Sequence, residues 1–518
     1  MLLGEVLVSK GIATSEQVAK ALEQQRMKGG VIGEHLVEMG VATAEQIEDA
    51  IQFIPPVPKS LADVGLHFNF LMSLLLKTMQ VTGFELPSKL GDEMKLTTAV
   101  VQELLDRGRE RQLIEVLGQS GQSLVSELRH SLTEKGKKWA AEALELSQYV
   151  GAAPVSLDTY CAQVKRQSIL SERLDETTLV RNTRHMILPP GFIEDLGPAV
   201  NSARSILLFG PPGNGKTTIA EAVGKAYSGI IFIPHAVEVD GQVIKLYDPS
   251  VHRAVINPVA TQAQPQPQKV SLRAASDRYT SAADARWVPC IRPTLIAGGE
   301  LTLDMLDLQF SPYSKFYEAP LQMKAMNGIF IVDDFGRQRV SPKEILNRWI
   351  INLDRRIDYL ALRTGKKFMI PFDELVVFST NLKPEDLMDD AFLRRISYKI
   401  EVFYPNLENY TKIFQLVCKS AKIEYSDDVI EYLLENFYKA QTVPLSAHHP
   451  KFIVDRIIDR CRYKGAAPEF TEEGIQYALR NLLARTAGTW TVASVNDPMK
   501  GNGHAAASSG HSGNGTTH

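Results

Sequence analysis

The chain is poor in cysteine. Four cysteines in 518 residues (Cys161, Cys290, Cys418, Cys461) stand far apart and form no CxxC or CxxH cluster. That spacing argues against a disulfide framework or a zinc site and points to a reducing, cytoplasmic compartment. Long apolar runs are also missing. Phe68 to Leu76 is the most apolar stretch, but Asn69 and Ser73 interrupt it and Lys77 closes it. It falls far short of the roughly 20 apolar residues of a membrane span, so no direct membrane insertion is expected. The first residues, MLLGEVLVSKG, lack the basic start and long apolar block of a signal peptide. Excess charge of either sign is absent too: 57 basic and 60 acidic residues give a net −3, which excludes a wholesale polyanion binder. The 44% hydrophobic and 23% charged fractions fit globular protein, and the length predicts three or four domains.

An internal repeat opens the chain. LLGEVLVSKGIATSEQVAKAL from Leu2 matches VIGEHLVEMGVATAEQIEDAI from Val31, with Gly4 on Gly33, Gly11 on Gly40 and Thr14 on Thr43, at a constant offset of 29. Each unit reads as a short helix, a glycine stop, and a second helix capped by Thr14 or Thr43 with Gln17 or Gln46 closing a capping box. The predicted small all-α domain covers 1–54, and Pro55-Pro56-Val57-Pro58 reads as a stiff linker. Within 55–150 the pattern predicts helices over His67–Val81, from Pro87, and over Thr97–Asp106. Strands over Gln112–Leu117 and Leu124–Arg129 follow, and a helix begins at Thr133. With the LTEKG stretch at Leu132–Gly136, this order resembles winged-helix proteins. Residues 59–150 hold 12 acidic and 11 basic residues, so DNA binding is possible but not favoured.

The largest unit is predicted over 170–490. Apolar runs at Ser205–Phe209, Gly328–Val332 and Leu375–Phe378 alternate with helical patterns, as in a buried parallel sheet. An insertion is expected at about 240–300, where Ala254–Asp277 is rich in Pro, Gln and Ala. The tail 496–518 has almost no apolar bulk and is expected to be disordered. The fold class is therefore multidomain α+β: an all-α repeat domain, a winged helix, and an α/β phosphate-loop core with a helical lid.

The chemistry gathers in that core. Gly210-Pro211-Pro212-Gly213-Asn214-Gly215-Lys216-Thr217 matches GxxxxGK[ST] between a strand and a helix. Its backbone N–H groups and the helix N-terminus can hold phosphates. Lys216 would reach the β- and γ-phosphates of ATP, Thr217 would ligate Mg²⁺, and Thr218 continues the helix start. Phe330-Ile331-Val332-Asp333-Asp334 ends an apolar strand in two acids, with Asp333 a candidate for the metal shell and Asp334 for orienting water. Asn381 ends the next strand as a candidate γ-phosphate contact. Arg394 or Arg395 could act on a neighbour's γ-phosphate.

This order resembles the AAA+ ATPase family. The resemblance implies an ATP hydrolase bound to ATP and Mg²⁺ in a homo-oligomeric ring, typically a hexamer, acting on a protein client that the sequence leaves unidentified. Two departures stand out. Lys216 and Asp333 lie 117 residues apart, which is long for the family, and the lid's usual second-sensor arginine is replaced by Lys451. The hairpin-like Lys366–Pro371 resembles MoxR-like, chaperone-type members. Gly298–Leu308 reads either as a client-contacting element or as part of the insertion. The repeat resembles the N-terminal domain of type II secretion and type IV pilus assembly ATPases. Some of those bind cyclic di-GMP through an arginine that is Leu2 or Val31 here, which disfavours that ligand. The resulting expectation is a pilus- or secretion-associated remodeller; the alternative is an ATP-gated DNA-binding regulator.

Overall fold

The computed structural model describes residues 2–119, 127–255, 283–387 and 389–482. Most of the Pro/Gln/Ala-rich segment, the start of the expected strand Leu124–Arg129 and the 496–518 tail lie outside them. Two compact units emerge: Met1–Ile413 with Pro444–His448, and Phe414–Val443 with His449 onward. Among the described residues, no helix is long and apolar enough to cross a membrane.

The first unit is organised by a five-stranded parallel sheet. Its order is Tyr398–Glu401, Ile206–Phe209, Leu375–Thr380, Ile329–Val332, Thr294–Ala297. Strand side chains alternate between two apolar layers, as they must when both faces are covered. Ile206, Leu208, Ile329, Ile331 and Val377 face the helices Phe192–Asn201 and Lys216–Ala226. Leu207, Phe330, Val332, Val376 and Phe378 face the helix Pro342–Arg355. That helix starts at a Ser341–Glu344 capping box and buries Trp349 completely, a side chain whose truncation would cost about 3–5 kcal/mol. The strand Thr294–Ala297 falls inside the span expected to be an insertion. It has only four residues and follows Pro293, so periodicity does not separate it from a loop.

Other parts of that span are folded as well. Ile230–Pro234 pairs antiparallel with Trp287–Ile291, and a second five-stranded sheet includes Ala236–Val239 and Gln242–Lys245. Within Gly298–Leu308, Leu301 and Leu306 are fully buried, while Glu300, Asp304, Met305 and Asp307 are exposed. Lys367–Pro371 forms a hairpin with Ile357–Ala361.

The four N-terminal helices run Leu2–Ser9, Ser15–Lys28, Ile32–Glu38 and Ala44–Phe53, and Thr14 and Thr43 each cap a helix in a full capping box. Their apolar faces share one cluster with Phe232, Val237, Tyr317 and Ile370. The Phe53 and Phe232 rings meet edge-on at 5.9 Å. The Pro55–Pro58 stretch is pinned to the core, because Asp284 N–H donates to Pro55 O at 3.0 Å. Three helices (Phe68–Thr82, Pro87–Met94, Thr98–Glu110), the antiparallel strands Ile114–Gln119 and Leu128–Leu132, and the helix Glu134–Leu146 come next. Their core takes in Ala236 and Val243.

In the second unit, Phe414 meets Tyr425 and Phe470, and the helices His449–Lys464 and Glu472–Leu482 pack side by side.

Candidate functional site

The glycine-rich loop leaves the carboxyl end of Ile206–Phe209 and runs into the helix beginning at Lys216. Two glycines are required by geometry. Gly210 has φ +131°, and a Cβ there would sit 2.5 Å from Val402 O. Gly213 has φ +77°, and a Cβ there would enter the His448 ring. The buried Asn214 ties the loop to residues 444–448: its Oδ1 accepts from Ala447 N–H at 3.1 Å and from Ser446 Oγ at 3.2 Å. Burial pushes the His448 imidazole below its ordinary pKa, which keeps it neutral beside Gly213. No motif spacing flags Ser446 or His448, since both lie more than 200 residues beyond the loop. The one hint in the sequence is a polar SAHHP stretch before a helix.

The Lys216 ammonium is buried and held by three oxygens: Gly210 O at 2.9 Å, Pro211 O at 2.8 Å and Asn381 Oδ1 at 2.7 Å. Burial lowers its pKa, while the Asp334 and Asp333 carboxylates oppose that shift. Thr217 Oγ1 donates to Asp333 Oδ1 at 2.8 Å, and Asn381 Nδ2 donates to Asp334 Oδ1 at 3.1 Å. Lys216, Thr217, Asp333, Asp334 and Asn381, proposed from three separate stretches of sequence, therefore meet in two adjacent hydrogen-bonded sets, Thr217–Asp333 and Lys216–Asn381–Asp334.

The sheet order explains the meeting, because the strands ending at Phe209, Val332 and Thr380 are neighbours that point the same way. The turn after Val332 is clamped on both sides. Asp333 N–H donates to Ala297 O at 2.8 Å, and Phe335 N–H to Ser379 O at 2.7 Å. Thr380 Oγ1 donates to Phe335 O at 2.7 Å, and Gln338 Nε2 to Asp333 O at 2.8 Å. These bonds hold Asp334 at φ +47°, a left-handed conformation that aspartate adopts more readily than most residues.

Thr217 and Asp333 offer adjacent oxygen donors, the type a hard divalent cation such as Mg²⁺ takes. Among the described residues no cluster of three or more His, Cys, Asp or Glu side chains forms another metal site. Pro212 and Thr218 are exposed and Pro211 is half-buried. Arg394 and Arg395 lie before the strand Tyr398–Glu401, which neighbours the loop's own strand, at the amino end of the sheet rather than the carboxyl end that carries the loop. Arg395 Nε donates to Asp354 Oδ2 at 3.2 Å, while Arg394 is exposed and in no ion pair among the described residues. Lys451 belongs to the second unit, where it pairs with Asp455 at 3.0 Å.

With this geometry established, three kinds of similarity can be set beside it. Residues 406–481 match the family model described as a domain of unknown function, DUF8689. The chain is 54% identical over 39 residues to the vesicular-fusion protein sec18 of Schizosaccharomyces pombe, covering 8% of this chain and 5% of that protein. It is 56% identical over 39 residues to the vesicle-fusing ATPase of Caenorhabditis elegans, covering 8% and 4%. The likeness thus spans a small fraction of these relatives' length. Among solved structures, NtrX from Brucella abortus in complex with ATP aligns over 67% of this chain and 65% of its own, at 12% identity and TM-score 0.34. A RuvB mutant from Thermotoga maritima aligns over 60% and 72%, at 11% identity and TM-score 0.31.

Proposed function

We propose that this chain is an AAA+ ATP hydrolase that couples turnover to remodelling or assembling a protein complex. The observation that carries this reading is the pair of adjacent hydrogen-bonded sets, Thr217–Asp333 and Lys216–Asn381–Asp334, beside the glycine loop. A polyphosphate entering the loop replaces the carbonyls and Asn381 as partners of the Lys216 ammonium. The Asn381 amide is then free to meet the γ-phosphate. Thr217 and Asp333 would hold Mg²⁺, which would supply charge neutralisation to the phosphates. Asp334, one methylene shorter than glutamate, orients the attacking water. Lys451 supplies the lid's positive charge.

Arg394 is the residue for a neighbour's γ-phosphate, since Arg395 is engaged by Asp354. This assigns the chain to a homo-oligomeric ring, with a hexamer as the expected size. The resemblance of the repeat to pilus and secretion ATPases gives the proposed setting, a pilus or secretion apparatus.

The DNA-regulator reading has less support. Arg107 pairs with Glu103 at 2.8 Å, Arg109 with Asp106 at 3.4 Å and Lys137 with Glu134 at 2.7 Å, and 12 acidic residues offset the 11 basic ones over 59–150, which limits counterion release.

Mixing Asp334→Asn with Arg394→Ala subunits tests the shared site. Each variant alone is expected to be inactive, and the mixture should regain part of the turnover. A mixture as inactive as either parent would refute a site completed in trans.

A further inference from the structure

The peptide Ser446-Ala447-His448 belongs to the same compact unit as the glycine loop, and its hydrogen bonds fix where the His448 proton sits. Asn214 Oδ1 accepts from Ala447 N–H at 3.1 Å and from Ser446 Oγ at 3.2 Å. A hydroxyl carries a single hydrogen. With that hydrogen on Asn214, Ser446 Oγ meets His448 Nδ1, 2.9 Å away, as an acceptor. Nδ1 therefore carries the proton of the neutral ring, and Nε2 carries a lone pair.

The imidazole lies on the loop itself. A Cβ at Gly213 would collide with His448 Nδ1, so the absence of a side chain there is what seats the ring. His448 also keeps an exposed edge, whereas Ser446 and Asn214 are buried. Partial burial against the loop holds the imidazole below its ordinary pKa. The charged groups gathered at the loop are Lys216, Asp333 and Asp334, of which the two acids act on the buried Lys216 ammonium. On the other side the chain continues into His449, whose Nδ1 meets the Tyr438 hydroxyl at 3.0 Å.

We propose that His448 contacts the phosphates of a nucleotide in the glycine loop only as the imidazolium, so that filling the loop takes up a proton at Nε2. The inference rests on the loop being an ATP site and adds a regulation of that site by pH. Phosphate oxygens are acceptors, and a neutral ring whose Nδ1–H is spent on Ser446 offers them only a lone pair. A proton drawn from the solvent turns Nε2 into a donor and makes the bond charge-assisted. Negative charge on the phosphates favours the imidazolium, so the histidine pKa is higher with nucleotide bound than without. Affinity is then gained at low pH and lost as pH rises through the pKa of the bound state.

The test uses the full chain with Mg²⁺ and the non-hydrolysable β,γ-imido analogue of ATP. Calorimetry at pH 7 in two buffers of different ionisation enthalpy counts the protons taken up. The parent should take up more than His448→Gln, in which the side chain does not titrate. Between pH 8 and pH 6 the parent's affinity should rise about tenfold more than that of His448→Gln. A merely structural role for the ring would change affinity without changing its pH dependence. Ser446→Ala lets the neutral ring carry its proton on Nε2, and should lower the uptake as well; it carries the comparison if His448→Gln does not bind. Melting curves confirm the fold of each variant. Uptake and pH dependence equal in parent and variants, with the analogue bound, overturn the proposal and leave the ATP reading standing. No binding of the analogue by the parent at any pH overturns the ATP reading and this proposal with it.

Discussion

Replacing Arg286 with methionine should cost the first unit much of its stability. Arg286 and Asp284 are both buried, and the guanidinium grips the carboxylate at 2.8 and 2.9 Å. The same side chain donates to Val64 O at 2.9 Å and Pro154 O at 3.1 Å. Asp284 N–H in turn holds Pro55 O. One ion pair thus ties the Pro-rich stretch, the segment after it, and the start of the second sheet to a single point. Removing one partner of a buried pair costs about 3–5 kcal/mol, because the other charge stays buried alone. Two buried carbonyls also lose their donor, at about 1 kcal/mol each or more. The sum, about 5–7 kcal/mol, should lower the melting midpoint by roughly 10 °C in circular dichroism. Arg286→Met combined with Asp284→Leu leaves no orphan charge and should recover part of the loss. A single-variant cost below about 1 kcal/mol would refute the role of this pair as a tie.

Other consequences follow from the same geometry. Gly213→Ala forces an L-residue to φ +77° and pushes into His448. Hydrogen exchange at Ala447 N–H should speed up, and unchanged protection would contradict the contact. Glu374 carries a raised pKa in the folded chain, so above about pH 4.5 the unfolded chain releases a proton that the folded one keeps. Wild-type stability should therefore fall relative to Glu374→Gln as pH rises from 5 to 8. A melting difference that does not move with pH would contradict a buried, protonated carboxyl.

What could be read from the sequence was local. Thr14 and Thr43 announce their helices because a cap needs only residues three apart, and both capping boxes form. The glycine-rich loop is legible for the same reason, since its strand, glycines and helix are contiguous. The place of Asn381 was legible because it follows a run of buried β-branched and aromatic residues. Contacts set by tertiary packing were not legible. Nothing in the order of residues joins Ser446 to Asn214, Asp354 to Arg395, or Phe53 to Phe232. The strand Thr294–Ala297 was hidden by its length and by its place within a span otherwise marked by Pro and Gln. The unpaired atoms of Glu374 leave no trace in the sequence, because burial depends on how three strand ends converge.

The central claim is that the loop holding Lys216 binds and hydrolyses ATP. Steady-state phosphate release with Mg²⁺, comparing the full chain with Lys216→Ala at equal concentration, tests it most directly. The account predicts turnover in the parent and its loss, with loss of ATP binding, in the variant. Equal turnover in the two proteins, or none in the parent across protein concentrations that allow assembly, would contradict it.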